Sequence, residues 1–256
     1  MYVLADPTFC NIIMIFSNYQ FRFSLTGTLF CIAGLILFIS LGTWQVFRAQ
    51  EKQRLQSEME IKKQQTPFQL DKRTPNIESA IWRPVIASGR FAEKNEILID
   101  NIVQDGIAGY YVMTPFILAG DKSVIMVNRG WVPAGNDRRL LPETSATDKL
   151  IEIHGILAKP RSKPPLLLGE LQTDGKVWLY FDSRLYQKKT GYPLIESATI
   201  LLDPEDANGY LRQWPKFNAR VGMHIGYAIM WYVFALIVLF TYIGVNYRKS
   251  GATEYE

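Results

Sequence analysis

Two long apolar stretches bracket a polar centre in this chain. The first, SLTGTLFCIAGLILFISLGTWQVF, occupies residues 24–47; the second, MHIGYAIMWYVFALIVLFTYIGV, occupies residues 223–245. Each runs for about 20 residues or more without Asp, Glu, Lys or Arg, the length that takes a helix across ~30 Å of hydrocarbon. Both are longer than ordinary core helices. Both end in residues that favour the lipid–water boundary: Trp44 on the first, and Tyr242, Tyr247, Arg248 and Lys249 on the second. The pattern predicts two transmembrane helices rather than the buried helices of a soluble domain.

The pattern between them is different. From Trp44 the stretch QVFRAQEKQRLQSEMEIKKQQ is rich in good helix formers and holds no Gly or Pro, which predicts a helix continuing out of the first span. From Trp82 the chain breaks into short runs rich in β-branched and aromatic residues: RPVIASGRF, NEILIDN, GYYVMTPFIL, KSVIMVNRGWVP, LIEIHGIL, VWLYFD and YPLIESATILLD. LAGDKS reads as a hairpin loop between two of them. The segment from Pro133 to Asp148 and the proline-rich KPRSKPP read as loops. The expected fold is therefore a membrane protein with two transmembrane α-helices flanking a β-rich soluble domain, α+β, antiparallel and barrel- or sandwich-like. The expected boundaries are an N-terminal tail at 1–23, spans at 24–47 and 223–245, a helical extension at 48–65, the β-rich domain at 66–222 and a C-terminal tail at 246–256.

Composition adds limits. Of 256 residues 48% are hydrophobic and 20% charged, and the net charge of +4 is too small to argue for nucleic acid. The two cysteines, Cys10 and Cys31, lie in the tail and the first span, so the central region has neither an internal disulfide nor a thiolate metal site. Residues 1–21 contain no Lys or Arg and one Asp, unlike an Arg-rich mitochondrial transit peptide, and no cleavage site of signal-peptide type follows Arg22. Basic residues near the membrane favour the central side: Arg48, Lys52, Arg54, Lys216 and Arg220, against Arg22, Arg248 and Lys249. A simple charge count thus places the central domain in the cytoplasm, but that rule is calibrated on short loops.

Candidate chemistry is sparse. There is no phosphate loop, dinucleotide fingerprint, CxxC, HExxH or GxSxG, and two histidines cannot form a histidine-rich metal site. His154 alternates to the same strand face as Glu152 and reads as a surface residue. In VNRGWVP, strand alternation sets Arg129 and Trp131 on one face, suited either to an internal salt bridge, with Asp100 as partner, or to a ligand or partner contact. A membrane-tethered enzyme using Asp100, Arg129 and Asp137 is a further reading, without an evident nucleophile and base.

His224 opens the second span. Helical spacing puts Tyr227, Ala228 and Trp231 on its face, and Arg220 one turn earlier. Such a face is able to hold a flat macrocycle with the imidazole as axial ligand to iron. It equally describes an interfacial histidine within an aromatic belt. Gly222 and Gly226 form a GxxxG pair on roughly the opposite face, matched on the first span by Gly27, Cys31 and Gly34.

Taken in order, LGTWQVFR, RPVIASGRF, IDN, GYYVMTPF, VNRGWVP and HIGYAIMWY, between two spans, resemble the surfeit locus protein 1 family over about residues 25–248. Met230 departs from the polar glutamine that the resemblance leads one to expect before Trp231. The resemblance implies an assembly factor, not an enzyme, for the haem-copper cytochrome c oxidase. Its implied partners are the oxidase catalytic subunit, the haem a synthesis machinery and membrane lipid. It implies haem a as a transient cofactor with His224 on the iron; joined to the spacing above, this leads to the expectation that Tyr227 and Trp231 flank the ring and that Arg220 or Arg129 pairs with the propionates. It also implies a central domain in the periplasm, or in the intermembrane space of mitochondria, against the charge count; the lack of a transit-peptide pattern favours a bacterial inner membrane. A scaffold that stabilises the oxidase subunit without binding haem is the alternative.

Overall fold

The computed structural model describes residues 19–21, 24–71, 76–120, 122–160, 175–215 and 218–249. The N-terminal tail to residue 18, with Cys10, and most of the KPRSKPP loop lie outside them, as do Arg22 and Lys216. The chain divides into two compact units, residues 1–56 with 218–256 and residues 57–217.

The first unit is built on two helices, α1 (Leu25–Lys63) and α3 (Val221–Asn246). Both are long and apolar enough to cross a membrane, and only 11% of each apolar window is buried within the protein. A core helix of a soluble domain would hide most of that surface. Here Phe30, Ile36, Ile229, Leu236 and Phe240 are exposed, which is tolerable only against lipid. At ~1.5 Å per residue, the 39 residues of α1 outrun a bilayer core, so its second half is the expected polar extension.

Small residues set how closely the helices approach. A Cβ on Gly42 would sit 2.8 Å from the Tyr232 ring, and one on Gly34 would sit 3.3 Å from Val238. Buried residues recur at Cys31, Gly42 and Ala49 on α1, and at Ala228, Ala235 and Asn246 on α3. That recurrence keeps one seam facing the partner helix. The glycine pair expected on α3 is not in it. Added Cβ atoms on Gly222 and Gly226 meet nothing within 4 Å, and Ala228 and Ala235 take the contact instead. The reason is rotational: the face bearing His224 and Ala228 turns toward α1, which leaves the opposite face outward. Outside the spans, β1 (Tyr19–Phe21) pairs antiparallel with β10 (Tyr247–Lys249), joining the two outer flanks.

The second unit is a β-barrel. Its strands are β2 (Phe68–Gln69), β3 (Pro84–Phe91), β4 (Ile97–Gln104), β5 (Ile107–Leu118), β6 (Val124–Pro133), β7 (Ile151–Ala158), β8 (Val177–Trp178) and β9 (Leu194–Leu202). The order β3-β7-β9-β6-β5 closes on itself because β5 also pairs with β3. This is a five-stranded Greek-key barrel with the strand order of the OB type. The sandwich alternative is not realised, and the ring is not wholly antiparallel, because β6 and β9 run parallel. Geometry requires this: a closed ring with an odd number of strands cannot reverse direction at every step.

β5 makes closure possible. It pairs with β4 up to Met113 and with β3 from Phe116. Pro115, which has no N–H to donate, sits at the changeover. A Cβ on Gly89 would lie 2.2 Å from the Ile117 carbonyl oxygen, so only glycine lets β3 approach this closely. Alternate residues fill the interior, among them Val85, Phe116, Ile125, Val127, Ile153, Leu157 and Ile200.

A second apolar cluster lies on the other face of β6, where Met126, Trp178, Phe181 and Tyr186 pack together. Tyr186 comes from a short helix, α2 (Ser183–Thr190). VWLYFD, expected as a strand, is extended only at Val177–Trp178. Asp182 ends the extended run because its Oδ1 accepts from the Leu185 N–H at 2.9 Å and caps α2. The β4–β5 turn is Asp105–Gly106, both at positive φ (48° and 79°). That dipeptide is a strong hairpin signal.

Candidate functional site

In the first unit, polar side chains meet between the two helices at three levels. Near one end the Thr28 and Tyr242 hydroxyls lie 2.6 Å apart. Further along, Thr43 Oγ1 is 3.2 Å from the Tyr232 hydroxyl. At the start of α3, His224 Nδ1 is 2.8 Å from Gln45 Oε1. A carbonyl oxygen accepts only, so Nδ1 is the donor of this contact, and in the neutral ring the lone pair then lies on Nε2. Among the described residues no protein group hydrogen-bonds Nε2. This is the arrangement in which a histidine ligates a metal through one nitrogen while the other is held by an oxygen acceptor. Gln45 belongs to LGTWQVFR at the end of the first span, and sequence reading gave it no role. Its signal was a lone amide among apolar residues, at the level where the second helix places its histidine.

The other residues expected around His224 are arranged as follows. Trp231 stacks on Phe38 of α1 with ring centroids 5.8 Å apart and 18° between planes, and Phe234 packs edge-on against it. One face of the indole is therefore covered by α1. Tyr227 is about half exposed. Arg220 is exposed at the mouth of α3, in the left-handed region (φ 47°), with its backbone N–H donating to Asn218 Oδ1 at 2.9 Å. The neighbouring Ala219 N–H donates to Gln56 Oε1 at 3.3 Å, which ties the start of α3 to α1. An imidazole with one open nitrogen, an exposed phenol one turn along and a guanidinium at the water-side end can meet a flat amphipathic ligand bearing a metal and anionic groups.

Arg129 lies in the second unit, within a buried network. Glu96, whose side chain is wholly buried, accepts from Thr114 Oγ1 at 2.6 Å, from Thr144 Oγ1 and from Arg129 Nη1 at 3.3 Å, and pairs with Lys176 Nζ at 2.9 Å. Arg129 Nε and Nη2 donate to the Asn208 and Ser145 carbonyls, each at 2.7 Å. Its guanidinium lies over the Phe91 and Tyr210 rings at 4.9 and 5.0 Å. The partner expected from sequence, Asp100, instead pairs with Arg138 at 3.2 Å. Nor do Arg129 and Trp131 share a face. A bulge opposite Tyr111–Met113, with Gly130 at φ 117°, breaks the alternation. Trp131 joins the Tyr111 cluster and donates from Nε1 to the Ile102 carbonyl at 2.9 Å. Glu96 was missed in the sequence because nothing local marks a glutamate just ahead of a strand as buried.

The remaining polar candidates are dispersed. Asp137 pairs with Arg139 at 2.9 Å on the surface, and those hydrogen bonds hold its carboxyl below the usual carboxylate range. The exposed His154 faces Glu152 at 3.3 Å, as alternation predicted. A cavity of about 940 Å³ opens beside the Glu96 network, with Lys94, Lys176, Trp178 and Tyr186 on its walls. Burial pushes the Tyr186 phenol well above its ordinary pKa, and its hydroxyl donates to the Asn95 carbonyl at 2.6 Å. Among the described residues no group of three or more His, Cys, Asp or Glu side chains could hold a metal ion.

A pair of membrane-length helices packed along a small-residue seam, with a Greek-key barrel between them in the chain, defines a two-span membrane protein with a soluble β domain. The SURF1 family model matches residues 32–236, most of the chain, and the protein belongs to that family. A SURF1-like protein of Monosiga brevicollis is 26% identical over 84% of this chain and 85% of its own length. A SURF1-like protein of Rickettsia prowazekii is 27% identical over 84% of this chain and 87% of its own. The cytochrome oxidase assembly protein SHY1 of Saccharomyces cerevisiae is 27% identical over 56% of this chain, and the match spans only 38% of the yeast protein.

Proposed function

We propose that this protein is an assembly factor for a haem-copper cytochrome c oxidase, and that it holds haem a transiently through a histidine of its second span on the way to the oxidase catalytic subunit. The observation that supports this most is the His224–Gln45 pair: an imidazole with Nδ1 held and Nε2 open, at the end of an otherwise apolar span. An ionisable residue placed there costs free energy, which a function gives a reason to retain.

Haem a offers an iron that takes a nitrogen ligand, a hydrocarbon tail suited to lipid, and anionic propionates suited to water. His224 Nε2 would hold the iron. Tyr227 and Trp231, the latter braced by Phe38, would supply apolar contact to the ring. Arg220, exposed at the start of α3, would meet a propionate. Arg129 is left out of this set because Glu96 and two carbonyls already hold its donors. Delivery of a ligand in this way breaks no covalent bond, so the reading needs no catalytic group. The reading includes a bacterial inner membrane with the barrel in the periplasm.

The test is the visible spectrum of the full-length protein, purified in detergent from cells that make haem a, beside His224→Ala. A haem a Soret band present in the wild type and lost in the variant is expected. A colourless wild-type protein from cells shown to contain haem a would overturn the carrier reading and favour a scaffold that acts on the oxidase subunit without haem.

A further inference from the structure

We infer that Gln45 is a positioning residue that selects the tautomer of His224, so that Nε2 is the ligating nitrogen, and that its neutral amide sets the ligation to be exchangeable; the second clause rests on the carrier reading above. A neutral imidazole has two tautomers, and only the one protonated on Nδ1 presents an Nε2 lone pair. Gln45 Oε1, 2.8 Å from Nδ1, accepts that proton's hydrogen bond from a residue 179 positions away in the chain.

The support around the pair is specific. Gln45 and His224 sit on facing helices whose separation is set nearby by Gly42 against Tyr232 and by the Thr43–Tyr232 hydroxyl pair at 3.2 Å. The mouth of α3 is tied back to α1 through the Ala219 N–H and Gln56. The amide oxygen is therefore held in reach of Nδ1 rather than meeting it by chance rotation.

The choice of amide over carboxylate has a chemical consequence. An acceptor on the far nitrogen raises the basicity of a ligating histidine, and removing such a partner typically weakens metal affinity about 10–100-fold. A carboxylate draws the Nδ1 proton more strongly than a neutral carbonyl does, and so makes the imidazole a stronger donor to iron. A site that must surrender its ligand is served by the weaker acceptor.

The experiment reads the histidine first without haem. Full-length protein with 15N-labelled histidine, in detergent micelles at alkaline pH, gives ring-nitrogen shifts for its two histidines. A His154→Gln variant identifies which belong to His224. Nδ1–H with an unprotonated Nε2 is expected in the wild type, a shift toward the other tautomer in Gln45→Leu, and restoration of Nδ1–H in Gln45→Glu. Haem a titrated into the same samples is expected to bind Gln45→Leu about 10–100-fold more weakly than wild type, and to leave Gln45→Glu more slowly than wild type. An unchanged tautomer in Gln45→Leu overturns the role of Gln45 and leaves the carrier reading standing. A wild type that holds the Nδ1–H tautomer yet binds no haem a overturns the carrier reading, leaving tautomer selection intact but without that purpose. Equal haem a release from wild type and Gln45→Glu overturns the argument from the neutral amide.

Discussion

Glu96 and Arg129 show how much a single side chain's setting decides. Both are charged and both are buried, with 0% and 5% of their side chains exposed. Burying a charge is costly unless it is paired and its remaining donors or acceptors are filled, as they are here by Thr114, Thr144, Lys176 and two carbonyls. Removing one member of the Arg129–Glu96 pair leaves the other a buried charge without its match. Glu96→Gln and Arg129→Leu are each expected to destabilise the barrel unit by about 3–5 kcal/mol. Denaturant unfolding of the full-length protein in detergent, followed by tryptophan fluorescence, measures this. A change under about 1 kcal/mol would mean that the network contributes little and that Arg129 is available for another contact. His224 poses the same problem with a different answer, since among the described residues only one of its two nitrogens has a hydrogen-bond partner.

At the level of elements, glycines separate into those that set a contact and those that do not. Gly42 allows the Tyr232 ring to lie against α1, whereas Gly226 has open space where a side chain would go. Gly42→Val is expected to force the spans apart and lower the melting temperature in detergent, while Gly226→Val leaves it close to wild type. Equal effects from the two variants would count against the seam described here. The strands show the same division between local and non-local information. Alternation in LIEIHGIL correctly set Ile153 inward and His154 outward, because a strand's faces follow from neighbours in sequence. It failed at Arg129–Trp131, because the bulge there answers to how β6 meets β5.

For the whole molecule, two spans require both outer flanks to share one side of the membrane and the barrel to occupy the other. The β1–β10 pairing, which joins those flanks, agrees with this. Residue charges favour a cytoplasmic barrel, whereas the family resemblance leads to a periplasmic one. A phosphatase that is active only in the periplasm, inserted at the exposed Leu140, is expected to be active, and the same enzyme fused after Lys249 inactive. The reverse result would restore the charge count and remove the proposed topology.

The sequence by itself determined the two spans, the polar helical extension, most of the strands and the position of His224 at a span's edge. Each of these is a matter of composition or periodicity over consecutive residues, and lipid or a half-buried sheet reads such patterns directly. Tertiary structure alone decided that the sheet closes as a barrel with β6 and β9 parallel, that Ala228 and Ala235 rather than Gly222 and Gly226 face the first span, that Glu96 holds Arg129, and that Gln45 reaches His224. These pairings join residues far apart in the chain. They depend on which backbones come within hydrogen-bonding distance after folding, and no local pattern encodes that distance.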